Sequence, residues 1–207
     1  MTPERDLIRV FCLSRVNGEK MEFYDDEKNV NDYIKMAEGF DGRDLIKILQ
    51  KYLPSGASLL ELGMGPGVDL EMLSEQYNVT GSDNSQVFLD RFSKIQPSIK
   101  TLKLDAQHIQ CDQKYDCIYS NKVLHHFTDD VLGDSLRQQM ECLSDGGILF
   151  HTFWQGEGDE TMHGMYFNYQ SIKNLTAIIA DMYEVLEMMS YREMEEDDSL
   201  YVVLRKI

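Results

Sequence analysis

From about residue 42 onward the sequence predicts an α/β fold: a mostly parallel seven-stranded sheet, helices on both faces and a C-terminal antiparallel hairpin. Three observations carry this. Short apolar runs of strand length alternate with segments whose apolar residues recur at helical spacing. A glycine-rich turn joins the first such run to a helix. The last two β-rich runs follow one another with no room for a helix between them.

The elements follow in order. Leu45, Leu49, Tyr52 and Leu53 fall at helical spacing, and Pro54-Ser55-Gly56 stops that helix. Ala57 to Leu62 reads as the first strand, and Val68 to Tyr77 as the helix beyond the glycine turn. Val79 to Ser82 is the second strand, and the helix from Gln86 to Ile95 is ended by Pro97. Ile99 to Leu104 and Tyr115 to Ser120 are the third and fourth strands. Leu132 to Leu143 is helical, and Gly146-Gly147 turns the chain into a fifth strand, Ile148 to Phe153. A polar loop and a helix from Ser171 to Ala180 lead to the closing runs, Tyr183 to Tyr191 and Leu200 to Leu204.

Charge narrows the partners. The 207 residues hold 36 Asp and Glu against 20 Lys and Arg, a formal charge of −16. A polyanion or an anionic membrane surface would on average be repelled, so neither nucleic acid nor membrane is an expected partner. The acidic cluster Glu193, Glu195, Glu196, Asp197 and Asp198 lies between two apolar runs and reads as an exposed turn. The N-terminus has no apolar signal region, and no run approaches the length of a membrane span, so a cytoplasmic protein is expected. Cys12, Cys111, Cys117 and Cys142 show neither zinc-ligand spacing nor a disulfide framework. They are read as reduced thiols, and no metal site is expected.

In such a sheet, ligands bind outside the carboxyl ends of the strands. The first strand ends in Glu61-Leu62-Gly63-Met64-Gly65-Pro66-Gly67, where alternate glycines allow a tight turn and close approach to a ligand. Asp83 ends the second strand, where a carboxylate can accept hydrogen bonds from a ribose diol. Asp105 ends the third in Leu104-Asp105-Ala106, where an acceptor can meet an adenine amine. A dinucleotide fingerprint would need Gly or Ala at position 68, which is Val68. Glu61 also opposes a pyrophosphate and suits a ligand with a cationic amine.

Together LLELGMGPG, Asp83, Leu104-Asp105-Ala106 and Tyr115-Asp116-Cys117-Ile118-Tyr119-Ser120-Asn121 resemble the class I S-adenosylmethionine-dependent methyltransferases, nearest the small bacterial type-11 and type-25 groups. The likeness covers roughly residues 40–154, and the seven-stranded, Rossmann-like layout extends it to the C-terminus. It implies S-adenosylmethionine as cofactor, with Gly63, Met64, Gly65 and Gly67 around the methionyl part and Glu61 near its amino group. It further implies Asp83 on the ribose, Asp105 and Ala106 on the adenine, and Asn121 beside the methionine moiety. Asn84 stands on the adenine face where the family often has an apolar residue. Residues 1–41, with Tyr24 and Tyr33, correspond to a helical lid segment, and residues 42–207 to the methyltransferase domain.

Methyl transfer needs an aligned acceptor and exclusion of water, with a base only where the acceptor must lose a proton. His125 and His126, after the fourth strand, are the candidates for that base; shaping of the loop is the competing reading. His151 and Trp154 end the fifth strand beside the expected acceptor pocket. The loop from Gln155 to Asn168 is a candidate substrate flap or a plain connector. The reading favoured is methyl transfer to a small-molecule acceptor. A nicotinamide-dependent oxidoreductase, disfavoured by Val68 and Glu61, and a non-catalytic cofactor-binding subunit are the alternatives.

Overall fold

The computed structural model describes residues 23–162 and 165–207. A 3-10 turn, Phe23–Asp25, leads into α1, Glu27–Met36, whose N-cap Asp26 accepts from the amides of Lys28 and Asn29. Then come α2 (Arg43–Leu49), β1 (Ser58–Leu62), α3 (Val68–Ser74), β2 (Asn78–Asp83), α4 (Gln86–Ile95), β3 (Lys100–Lys103) and β4 (Tyr115–Ser120). A second 3-10 turn, Leu124–His126, precedes α5 (Asp129–Cys142) and β5 (Leu143–Trp154). The chain ends in β6 (Asp159–Met162), β7 (Met165–Asn168), α6 (Ile172–Ile179), β8 (Tyr183–Tyr191) and β9 (Ser199–Lys206).

The expected seven-stranded sheet forms in the order β3-β2-β1-β4-β5-β9-β8. Pairing is parallel from β3 to β5; β9 then enters antiparallel between β5 and β8, placing the terminal hairpin at the edge. The order reverses between β1 and β4, which opens a crevice at their carboxyl ends.

Both faces are covered, which is why the central strands are nearly continuous in apolar residues. Leu60, Leu62, Ile118 and Leu149 face one way, against Leu132 and Leu136 of α5 and Leu175 and Ile179 of α6. Leu59, Cys117, Tyr119 and Phe150 face the other, against Leu45 and Leu49 of α2 and Leu73 of α3. A third cluster, Met64, Leu70, Leu89 and Phe92, packs α4 beneath the glycine turn. Each such buried side chain contributes about 1.5–3 kcal/mol.

Three expectations change. Gly146-Gly147 does not precede the fifth strand but lies within it: Tyr115 already pairs with Leu143, and the register shifts before Cys117 meets Ile148. Gly146, at φ 70, absorbs this irregularity as a bulge. The polar loop of 155–168 contains a small sheet of its own, β6 paired antiparallel with β7. The cysteines are not all reduced: Cys111 and Cys142 form a disulfide, with Cα atoms 5.6 Å apart, while Cys117 is free and buried. Cys12 lies outside the described residues. Cys111 follows β3 and Cys142 ends α5, so their meeting depends on the tertiary fold and not on local spacing.

This bond spans 31 residues of chain, for which loop-closure entropy gives a stabilisation of about 2–4 kcal/mol. Urea unfolding with and without reductant should differ by that amount. Thiol titration of denatured, unreduced protein should find two fewer thiols than the reduced protein. Equal counts would show that the bond is not formed.

Candidate active site

At the carboxyl ends of β1 and β4 lies a cavity of about 650 Å³. The turn from β1 to α3 forms its floor. Gly63, Gly65 and Gly67 have φ of 64, 51 and 86, a left-handed backbone that only glycine adopts without strain. A Cβ on Gly67 would come within 2.2 Å of the Phe92 ring, whereas one on Gly65 would meet only Tyr33, at 3.8 Å. Gly67 therefore lets the turn close onto α4, and Gly65 leaves open space on the cavity side.

Three carboxylates surround this turn. Asp83 is 9% exposed; one oxygen accepts from the Gly65 amide at 2.8 Å and the other from the Ser85 amide at 2.8 Å. Burial raises its pKa, and these amide bonds hold it down. Asp69, at the start of α3, accepts from the Gly42 amide (2.7 Å), the Tyr119 hydroxyl (2.8 Å) and the Asn121 side-chain amide (3.1 Å). Glu61 is the exception. It is 3% exposed, and its Oε2 has no hydrogen-bond partner among the described residues. Burial first, then Asp69 and Asp83, push its pKa well above the ordinary value. A buried acid lacking a donor, at the edge of an open cavity, fits a cationic ligand.

The expected residues separate into two groups. Glu61, Gly63, Met64, Gly65, Asn121, His125 and His126 line the cavity together. Gly67 is buried beneath it, while Asp83, Asn84, Asp105 and Ala106 do not line it. They lie outside it, at the ends of β2 and β3, where the Leu104 amide donates to the Asp83 carbonyl. Asp105 accepts from the Gln107 amide at 2.8 Å and lies 3.1 Å from His108 Nδ1.

The histidine pair differs internally. His126 Nδ1 is 2.7 Å from the Tyr166 carbonyl, which only accepts, so Nδ1 carries the hydrogen and Nε2 is the unprotonated nitrogen. His125 is buried, its Nδ1 without a partner among the described residues, and stacks on Phe167, ring centroids 5.3 Å apart. Burial lowers both pKa values, so both rings are neutral near pH 7. His151 does not face the site. It is fully buried between Ser120 Oγ (2.8 Å from Nδ1) and Gln139 Oε1 (2.8 Å from Nε2), a bridge between β4 and α5.

Other residues contribute, of which the sequence points only to Tyr24 and Tyr33, through the lid segment. Asp69 carried one local signal, a carboxylate in the first turn of the helix after the glycines. Tyr24, Tyr33 and Phe88 form a ring cluster, with Tyr24 and Tyr33 centroids 5.4 Å apart, and the two tyrosines line the cavity. Burial, with Asp83 and Asp69 near, pushes Tyr33 up to about 12. Glu193 and Met194 also line the cavity, so the acidic C-terminal turn is not simply an exposed one. Asp198 is 5% exposed and holds that turn by accepting from the amides of Glu193, Met194 and Glu195.

Fold and site together define a class: the class I S-adenosylmethionine-dependent methyltransferase fold. Within it, residues 59–147 match the family described as methyltransferase domain, in the type-25 group, as the motifs had indicated. Over 162 residues the chain is 26% identical to a malonyl-[acyl-carrier protein] O-methyltransferase of Acetivibrio thermocellus, covering 74% of this chain and 54% of that protein. It is 33% identical over 92 residues to a trans-aconitate 2-methyltransferase of Agrobacterium fabrum, covering 43% of this chain and 35% of that protein. The chain thus spans about half the length of the first relative and a third of the second. A TehB-like S-adenosylmethionine-dependent methyltransferase from Corynebacterium glutamicum shares the fold with a TM-score of 0.71 at 18% identity, over 88% of this chain and 100% of that one. Among the described residues no helix is long and apolar enough to cross a membrane.

Glu61 generates a stability prediction. Its raised pKa means that ionisation costs folding free energy once the pH exceeds the ordinary carboxylate range. Glu61→Gln should stabilise the ligand-free protein at pH 7 by about 1–3 kcal/mol. The gain should vanish below the ordinary glutamate value of 4.5, where both states are protonated. Thermal melts across that range decide it.

Proposed function

We propose that this protein transfers a methyl group from S-adenosylmethionine to a small-molecule acceptor. The observation that carries this reading is the unpartnered Glu61 oxygen beside the glycine turn. S-adenosylmethionine, when bound, supplies a methyl group on a cationic sulfonium that is ready for displacement. Glu61 would pair with its amino group, and Gly63, Met64, Gly65 and Gly67 would accommodate the methionyl part beside Asn121. Asp83 would accept from the ribose hydroxyls, with Asn84, Asp105 and Ala106 at the adenine. The segment before residue 42 would act as a lid, its tyrosines excluding water.

His126 is the better base of the pair, because its Nε2 lone pair is left open by the bond from Nδ1 to Tyr166. The relatives act on malonyl-[acyl-carrier protein] and trans-aconitate, which supports a small acceptor or a carrier-bound one. The net charge of −16 supports neither nucleic acid nor membrane as partner. Composition supports a cytoplasmic setting, whereas the Cys111–Cys142 bond favours an oxidising one.

Calorimetric titration with S-adenosylhomocysteine tests the reading, with NAD as the control that should not bind. Asp83→Ala should weaken the interaction by about 1.5–3 kcal/mol, the scale of hydrogen bonds to a charged group. Unchanged affinity would place the ribose elsewhere, and absence of binding to the wild type would refute the proposal.

The histidine has its own signature. A base acts in its neutral form, and burial lowers the pKa of His126 below 6.5. Activity should stay level from pH 8 down to that value and fall only below it, and His126→Phe should remove the acid limb. A limb above it would exclude His126 as the base.

A further inference from the structure

Beside the cavity at the glycine turn lies a second one, of about 310 Å³. Trp154, Phe167 and Met194 line both, so these three side chains form the boundary between them. Phe167 also stacks on His125, which places this boundary against the histidine pair.

The walls of the smaller chamber are fixed. Gln170 donates its amide to the Trp154 carbonyl at 2.9 Å, and Tyr169 donates to the Gly158 carbonyl at 3.0 Å. Asn168, 7% exposed, ties the end of β7 to the Phe127 carbonyl (2.9 Å) and to Asp129 (2.8 Å). On the opposite side Asp198 clamps the turn that carries Met194. Such a cavity needs little reorganisation to receive a ligand.

Its chemistry is one-sided. Apolar faces come from Trp154, Met162, Phe167 and Met194, while every charged group lining it is a carboxylate. Gln155 Oε1 is buried and has no hydrogen-bond partner among the described residues. Glu157 and Glu160 add negative charge, and Glu160 already accepts from the Tyr169 hydroxyl at 2.5 Å. The charge of Asp198 is compensated by its three amides. No Lys or Arg is among the described residues lining the chamber. The Lys122 ammonium, behind Trp154, is engaged elsewhere: its Nζ donates to the Phe153 carbonyl (2.8 Å) and Ser199 Oγ (2.6 Å) and sits 3.9 Å from the centre of the Trp154 ring.

We infer that this chamber is the recognition subsite for the methyl acceptor, and that it holds the ammonium-bearing end of an organic amine with an apolar or aromatic body. A carboxylate there would meet two acids and an unpaired carbonyl oxygen with no cation to offset them. An ammonium supplies the donors those oxygens lack and gains from the aromatic faces. The inference rests on the methyltransferase reading, since the chamber becomes an acceptor subsite only if the larger cavity holds the cofactor.

The test uses the whole protein saturated with S-adenosylhomocysteine, titrated calorimetrically with two matched pairs: phenethylamine against 3-phenylpropionate, and tryptamine against indole-3-propionate. Each amine should bind at least about ten-fold more tightly than its acid, a difference of about 1.4 kcal/mol. Glu157→Gln combined with Glu160→Gln should shrink that ratio several-fold and leave S-adenosylhomocysteine affinity unchanged. Gln at 160 keeps an acceptor for Tyr169, so the fold of the hairpin is preserved. An amine no tighter than its acid, or a ratio insensitive to the double substitution, overturns the inference and leaves the cofactor reading intact. Failure of S-adenosylhomocysteine itself to bind overturns both.

Discussion

A buried carboxylate is tolerated only when donors surround it, and three of them meet at one turn. Asp69 and Asp83 satisfy the condition internally. Asp69 draws the start of α2, the end of β4 and the Asn121 side chain onto α3, and Asp83 fixes the Gly65 amide to the end of β2. Glu61 does not satisfy it. The two paired acids hold the turn, and the third remains a carboxyl of raised pKa at the cavity edge. Folding free energy is thereby held in reserve for a cation, which is how a site can gain affinity from its own instability.

The same turn sets the limits of what surrounds it. Positive φ at three glycines bends it, and at Gly67 it passes close over Phe92 of α4. Ser85, the N-cap of α4, donates its hydroxyl to the Tyr24 carbonyl at 2.5 Å and so brings the segment before α1 onto the same helix. Cavity floor and cavity roof are therefore anchored to one element.

Much of this was legible in the sequence. The strands and their parallel order follow from apolar runs bounded by turn residues. Glu61, the glycines and Asn121 could be placed because they end strands on the crevice side. Long-range pairings could not be read. Cys111 and Cys142 meet because the segment entering β4 and the end of α5 come together where Tyr115 pairs with Leu143, a relation absent from any local spacing. The hairpin of β6 and β7 is short and polar, so alternation was too weak to reveal it; it is held by Asn168, Asp129 and the Tyr166 carbonyl. Glu193 and Met194 belong to a turn whose acidity suggested solvent, yet Asp198 folds it inward by taking three amides. His151 sits at a strand end that faces the crevice by sequence, but its register directs the ring into the core.

Lys122 shows how the glycine turn reaches the boundary between the two cavities. Its φ of 55 costs a non-glycine residue about 1–2 kcal/mol and must be held by its neighbours. Its amide donates to Thr152 Oγ1 (2.9 Å), Thr152 donates to Asn121 Oδ1 (2.7 Å), and Asn121 donates to Asp69 (3.1 Å). Burial brings the Lys122 ammonium down to about 7, against the pull of Glu193 and Asp198, because its contacts are a carbonyl, a hydroxyl and an indole face, with no carboxylate in direct reach. The strained backbone thus sets the Lys122 side chain over the Trp154 ring, at the end of the same hydrogen-bond line that begins on Asp69. Asp69, Asn121, Thr152 and Lys122 form one hydrogen-bonded line from the helix after the glycine turn to the boundary that Trp154 forms.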